Sequence, residues 1–222
     1  PARWTQAEDL WLFGYWRETW ADRTVEVGAI DPAAKRITTT VPYMDSEGID
    51  VPAYPGIEVK HAIRYYAFNL LEEIDMPGEW YLDRHSGILY LYPPSDPTEA
   101  TVELSMLTTP MVTMENVSHV RFAGLVFDLA RHDGIVITGG ESCLLAGCTI
   151  SRLAGTGVII NEGVGHGVLG CDITMMGRNG ISMTGGDRRT LTPGGHFVEN
   201  CHIHDFSRID RTYTPAVAAG GA

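Results

Sequence analysis

The sequence predicts an all-β chain: a parallel β-helix of about four rungs, preceded by a small β-rich domain. Three observations carry this. Glycine recurs every 23 residues, with Gly134, Gly157 and Gly180 opening GIVITGG, GVIINEG and GISMTGG, and with Gly124, Gly147 and Gly170 ten residues before each. Such a period marks a repeat architecture whose copies stack to bury what one copy cannot. Within each copy the apolar residues alternate over short runs rich in Val and Ile, which is strand periodicity. No helical segment separates the runs, so the stack is a coil of strands.

Taken in order, the apolar residues fall into columns. Val120, Cys143, His166 and His196 form one, and Phe122, Leu145, Val168 and Val198 the next. Leu125, Cys148, Cys171 and Cys201 form a third, and Phe127, Ile150, Ile173 and Ile203 a fourth. The closing strand is predicted to align Ile135, Val158, Ile181 and Ala216, then Ile137, Ile160, Met183 and Ala218. The fourth copy fits only with two insertions, 187–193 and a turn lengthened to Asp205–Thr214. Stacked strands lie ~4.8 Å apart, so each column is a ladder of like side chains. The cysteines read as reduced packing rather than a disulfide set, and His166 and His196 as hydrogen-bonded edge histidines.

Composition divides the chain at about residue 110, giving an accessory domain over 1–110 and coil over 111–222. The first part holds all five Trp, eight of nine Tyr and ten of twelve Pro; the second holds all four Cys, 19 of 25 Gly and no Lys. In the first part RTVEVGAID and KRITTTVP are predicted strands around a turn at Asp31–Ala34. Strands Trp80–Asp83 and Leu89–Tyr92 are predicted to form a hairpin. TEATVELSML reads as a further strand, and AEDLWLFGYWRETW and YYAFNLLEEI as short helices. The net charge of −12 argues against nucleic acid as a partner, since phosphate binding wants a basic face. No apolar run is long enough to span a membrane as a helix. The fourth copy runs to Ala222 with no polar cap, so the sequence is expected to be a piece of a longer protein.

The segment YYAFNLLEEIDMPGEWYLDRHSGILYLYPP, followed by NVSHVRFAGLVFD and glycine-spaced rungs, resembles the bacterial right-handed parallel β-helix proteins. More narrowly it is similar to β-helix glycoside hydrolases of the β-xylosidase type that carry a β-sandwich-like accessory domain. The resemblance implies a right-handed coil, a secreted or periplasmic bacterial protein, and a polysaccharide or oligosaccharide as partner. It also implies catalytic carboxylates on coil rungs, here expected beyond Ala222, so no catalytic residue is assigned. A polysaccharide lyase on the same coil and a non-catalytic carbohydrate-binding or adhesive β-helix are the alternatives. The absence of Lys from 111–222 disfavours the lyase.

Insertions in a solenoid map to loops, often on the binding face. The candidate groove wall is therefore Asp205, Arg208, Asp210, Arg211 and Tyr213, with His204 before them and Asp133, Arg178 and Asn179 on the turns below. Carboxylates bond sugar hydroxyls, a ring covers an apolar sugar face, and Arg holds an acidic substituent. The competing reading is a solvated turn with local ion pairs. His202 and His204 share a strand face, but two ligands fall short of the four of a structural zinc site, so no metal and no cofactor is expected.

Overall fold

The computed structural model describes residues 4, 7–16, 20–40 and 64–221. The chain divides into two compact units, Pro1–Glu103 and Leu104–Ala222.

In the first unit, β1 (Trp11–Tyr15) is the inner strand of an antiparallel sheet ordered β3-β2-β1-β4, with β2 Asp22–Asp31, β3 Arg36–Thr39 and β4 Tyr65–Phe68. The β2–β3 turn falls where the sequence places it, and the Asp31 carboxylate accepts the Ala34 N–H at 2.9 Å. The two expected helices are instead the strands β1 and β4, and the only helical turn among the described residues is a 3-10 turn at Leu71–Glu73. The physical reason is that β1 is paired on both edges and buries Leu12 and Phe13 on opposite faces. Buried on both faces, its sequence is a continuous apolar run, which periodicity does not separate from a helix. Trp4, Leu10, Leu12, Trp16, Val25, Val27 and Leu70 make the core here.

The hairpin forms as β5 (Trp80–Asp83) against β6 (Ile88–Leu91), the second strand one residue earlier than expected. Its loop is fixed by Asp83, whose carboxylate accepts the Ser86 hydroxyl at 2.6 Å and the His85 N–H at 2.9 Å. Ser86 and His85 accordingly hold the Asp83 carboxyl below its ordinary range. TEATVELSML forms no strand. Its alternation is real, but Val102, Leu104 and Met106 stand exposed without a ladder partner among the described residues.

The second unit is a parallel β-helix of three sheets. One stacks β7 (Val112–Glu115), β10 (Ile135–Thr138), β13 (Val158–Asn161), β16 (Ile181–Gly185) and β19 (Val217–Gly221). The next stacks β8 (Arg121–Ala123), β11 (Leu144–Ala146), β14 (Gly167–Leu169) and β17 (Phe197–Glu199). The third stacks β9 (Val126–Ala130), β12 (Thr149–Leu153), β15 (Asp172–Met176) and β18 (His202–His204). The predicted columns recur as strand registers: Phe122, Leu145, Val168 and Val198 align, as do Phe127, Ile150, Ile173 and Ile203. The last rung corrects one of them. Ile181 pairs with Val217 and Met183 with Ala219, so the alignment with Ala216 and Ala218 is one residue early.

Inside the coil, Ile135, Ile137, Leu145, Ile150, Val158, Ile160, Val168, Ile173 and Ile181 are fully buried. All four cysteines are free. The Cys148 N–H points at the Cys171 sulfur at 3.4 Å, and burial pushes the Cys171 thiol up to about 11. The thiol stays protonated, as expected of a packing residue rather than a nucleophile.

Each rung of the third sheet carries a left-handed corner. Leu129, Arg152, Met175 and Asp205, one per rung, have φ of 66°, 54°, 60° and 52°. Non-glycine residues in this region cost roughly 1–2 kcal/mol each, and here the rung pairing on both sides holds them.

Candidate functional site

Parallel strands with an alternating pleat put every second residue of the third sheet on the outer surface. Two outward columns result: Val126, Thr149, Asp172 and His202, and beside it Asp128, Ser151, Thr174 and His204. Ladder spacing thus brings residues 23 or 30 positions apart into contact.

Low on this face Asp128 accepts the Ser151 hydroxyl at 2.6 Å and pairs with the Arg152 guanidinium, which donates to both carboxylate oxygens. The Arg152 hydrogen bonds, assisted by Ser151, hold its carboxyl at about 2 against 3.8 for a free side chain. A depressed acid stabilises the fold above its unfolded pKa, and the contribution is lost as pH falls through the folded value, here from about 3.8 down to about 2. Asp128→Asn is expected to lower stability by about 1 kcal/mol at neutral pH and to flatten that acid limb, checked by urea unfolding at pH 7 and pH 2.5. A variant as stable as the parent at pH 7 refutes the assignment.

Higher up, the face carries imidazoles and carboxylates. His202 Nδ1 lies 3.4 Å from Asp172 Oδ1, and His204 Nδ1 lies 2.9 Å from Asp205 Oδ2 and 3.3 Å from the Thr174 hydroxyl. Asp172 and Thr174 were not among the candidate residues; the 30-residue offset between Ile173 and Ile203 is the signal that places them there.

From Asp205 the chain enters the long turn, which is internally braced. The Arg208, Ile209 and Asp210 N–H groups bond back to the Met176 and Gly177 carbonyls at 2.9–3.1 Å. The Ser207 hydroxyl donates to the Thr214 carbonyl, and the buried Thr214 hydroxyl donates to the Asp210 carbonyl at 2.6 Å. Arg178 on the rung below meets Asp210 at 3.1 Å (Nε to Oδ2), both half exposed. Arg208, Arg211 and Tyr213 are exposed on the same turn, Tyr213 at 74%.

Two candidates serve the backbone instead. Asp133 Oδ1 accepts the Thr156 N–H at 2.7 Å while Oδ2 faces His132 Nδ1 at 3.1 Å. Asn179 is buried and donates to the Pro215 carbonyl at 3.3 Å, tying the return of the long turn to the rung below. The structure therefore brings Arg178 to Asp210 and His204 to Asp205, and leaves Asp133 and Asn179 as turn supports.

His166 and His196 are stacked inside the coil edge, 5.3 Å apart and 11° from parallel. His166 Nδ1 accepts the Cys143 N–H at 3.1 Å and Nε2 donates to the Gly139 carbonyl at 3.0 Å. His196 Nδ1 accepts the His166 N–H at 3.2 Å, and its Nε2 is buried without a hydrogen bond of normal geometry among the described residues. His166 is thus hydrogen-bonded at both ring nitrogens, as expected, whereas His196 is so at one only.

Among the described residues no cluster of three or more His, Cys, Asp or Glu is arranged to hold a metal ion. None of their helices is long and apolar enough to cross a membrane. A family model described as the right handed beta helix region matches residues 133–218, most of the coil. No curated protein and no solved structure matches the chain.

Proposed function

We propose that this chain is a portion of a carbohydrate-active β-helix protein, a glycoside hydrolase that acts on plant or microbial polysaccharide or oligosaccharide outside the bacterial cytoplasm. The observation that carries the reading is the braced turn Asp205–Thr214, which holds exposed Asp210, Arg208, Arg211 and Tyr213 beside the outward column ending in His204. A braced turn with carboxylates, cations and an exposed ring is suited to hydroxyl recognition and sugar stacking. Hydrolysis needs two carboxyl groups ~5–9 Å apart across the scissile bond, one of them protonated. Here Asp172, Asp205 and Asp210 are each taken up by a basic partner, so this face serves as the wall that binds the sugar.

That pairing also favours a second reading, a coil that binds carbohydrate without cleaving it. Incubating the chain with aryl glycosides, neutral polysaccharides and acidic polysaccharides separates the cases. Reducing ends without ultraviolet absorbance from an unsaturated product support the hydrolase. An unsaturated product transfers the assignment to a lyase. Binding without turnover, weakened by Tyr213→Ala, supports the binding coil. Neither turnover nor binding removes carbohydrate from the account.

A further inference from the structure

His202 and His204 form a feature that sugar recognition does not require. Both point outward from β18 and both are exposed, at 73% and 45% of the side chain. Their ring centroids are 4.4 Å apart with planes 30° from parallel. Among the described residues the other exposed histidines, His85, His119 and His132, each stand singly beside one carboxylate. Here two imidazoles share one patch, and each has its own carboxylate on the same ring nitrogen. Asp172 faces Nδ1 of His202, and Asp205 faces Nδ1 of His204.

Asp205, 2.9 Å from Nδ1 of His204, fixes the hydrogen on that nitrogen and leaves the lone pair on Nε2, and Asp172, 3.4 Å from Nδ1 of His202, biases that ring the same way. Outer-shell carboxylates orient histidine for metal binding in this way. We infer that His202 and His204 form a two-imidazole site for a late first-row divalent metal, Zn²⁺, Cu²⁺ or Ni²⁺. Both Nε2 atoms are the ligands, water completes the coordination, and Asp172 and Asp205 are positioning residues. Imidazole selects these ions over Ca²⁺ and Mg²⁺, which take oxygen. The two carboxylates offset the charge of the ion. With only two protein ligands the site is open and exchangeable, unlike a closed structural zinc centre. The inference is independent of the carbohydrate reading, since it rests on the ring pair and its carboxylates alone.

The test is titration of the whole chain with Cu²⁺, followed by electron paramagnetic resonance and calorimetry, and with Zn²⁺ by calorimetry. One equivalent of Cu²⁺ with hyperfine splitting from two imidazole nitrogens is expected. His202→Ala and His204→Ala should each weaken it by about tenfold or more, and because both side chains are exposed the fold is retained, as circular dichroism would verify. Asp172→Asn should weaken binding by about tenfold while keeping the two-nitrogen spectrum, because it removes orientation and not a ligand. A one-nitrogen spectrum, or affinity unchanged in the His202→Ala/His204→Ala double variant, overturns the site.

Discussion

Gly157→Val is expected to prevent the coil from folding, and Gly157→Ala to lower its stability by about 3 kcal/mol in urea unfolding. A Cβ built on Gly157 would lie 2.6 Å from the Gly180 carbonyl oxygen, 3.0 Å from Ile173 Cγ2 and 3.3 Å from Met176 Sδ. The first of these is backbone in the next rung, and that rung cannot withdraw without breaking its ladder. Gly134 meets the Gly157 carbonyl in the same way at 2.4 Å, and Gly180 meets the Ala216 carbonyl at 2.7 Å. The column is glycine because strands approach there, not because of φ. Gly147 is the control: its φ is +58° and nothing lies within 4 Å of its added Cβ. Gly147→Ala should cost about 1 kcal/mol, from backbone strain alone. Equal effects at the two positions would refute the close-approach account.

His166→Leu is expected to lower stability by about 3 kcal/mol despite its similar bulk and greater hydrophobicity. His166 is fully buried, and its ring bridges the Cys143 N–H and the Gly139 carbonyl on the neighbouring rung. Leucine leaves both groups buried and unpaired, at roughly 1–3 kcal/mol each. A loss under about 1 kcal/mol would mean that water reaches them. The stack also predicts a pH effect. Burial, with His166 beside it, pushes His196 below the ordinary histidine range, against a weaker opposing pull from the Thr184 and Glu162 backbone. A histidine depressed in the fold takes up its proton in the unfolded chain first. The stability it contributes is present above about pH 6.5 and is lost as pH falls through the folded value. Melting temperature should therefore drop between pH 7 and 5, and His196→Asn should remove that part of the slope.

The coil was legible because each interior column repeats one residue type at a fixed period. Ile150, Ile173 and Ile203 cannot be shifted by one place without turning every side chain outward. The last strand lacked that contrast. In PAVAAGG small apolar residues occupy both alternations, so Ala216 and Val217 were equally acceptable partners for Ile181, and the structure selects Val217. The first unit was harder to read because β1 buries both faces, which erases the period of two. For the candidate site, the sequence located the long turn and its charges. Which of them are occupied was not legible: Asp133 bonding Thr156 and Asn179 bonding Pro215 depend on turn geometry, and the Asp128–Arg152 pair depends on a left-handed Arg152.

That left-handed corner has an implication for how such a coil acquires new surfaces. Leu129, Arg152 and Met175 are each followed by a short turn, and Asp205, at the same lattice point, by a much longer one. Yet β19 rejoins β16 in unbroken parallel register. The corner behaves as a socket: chain enters and leaves at fixed coordinates whatever length lies between. Evolution can then vary the loop without renegotiating the core, and a designer could graft a foreign loop between Asp205 and Pro215 provided that Asn179 still meets the returning strand.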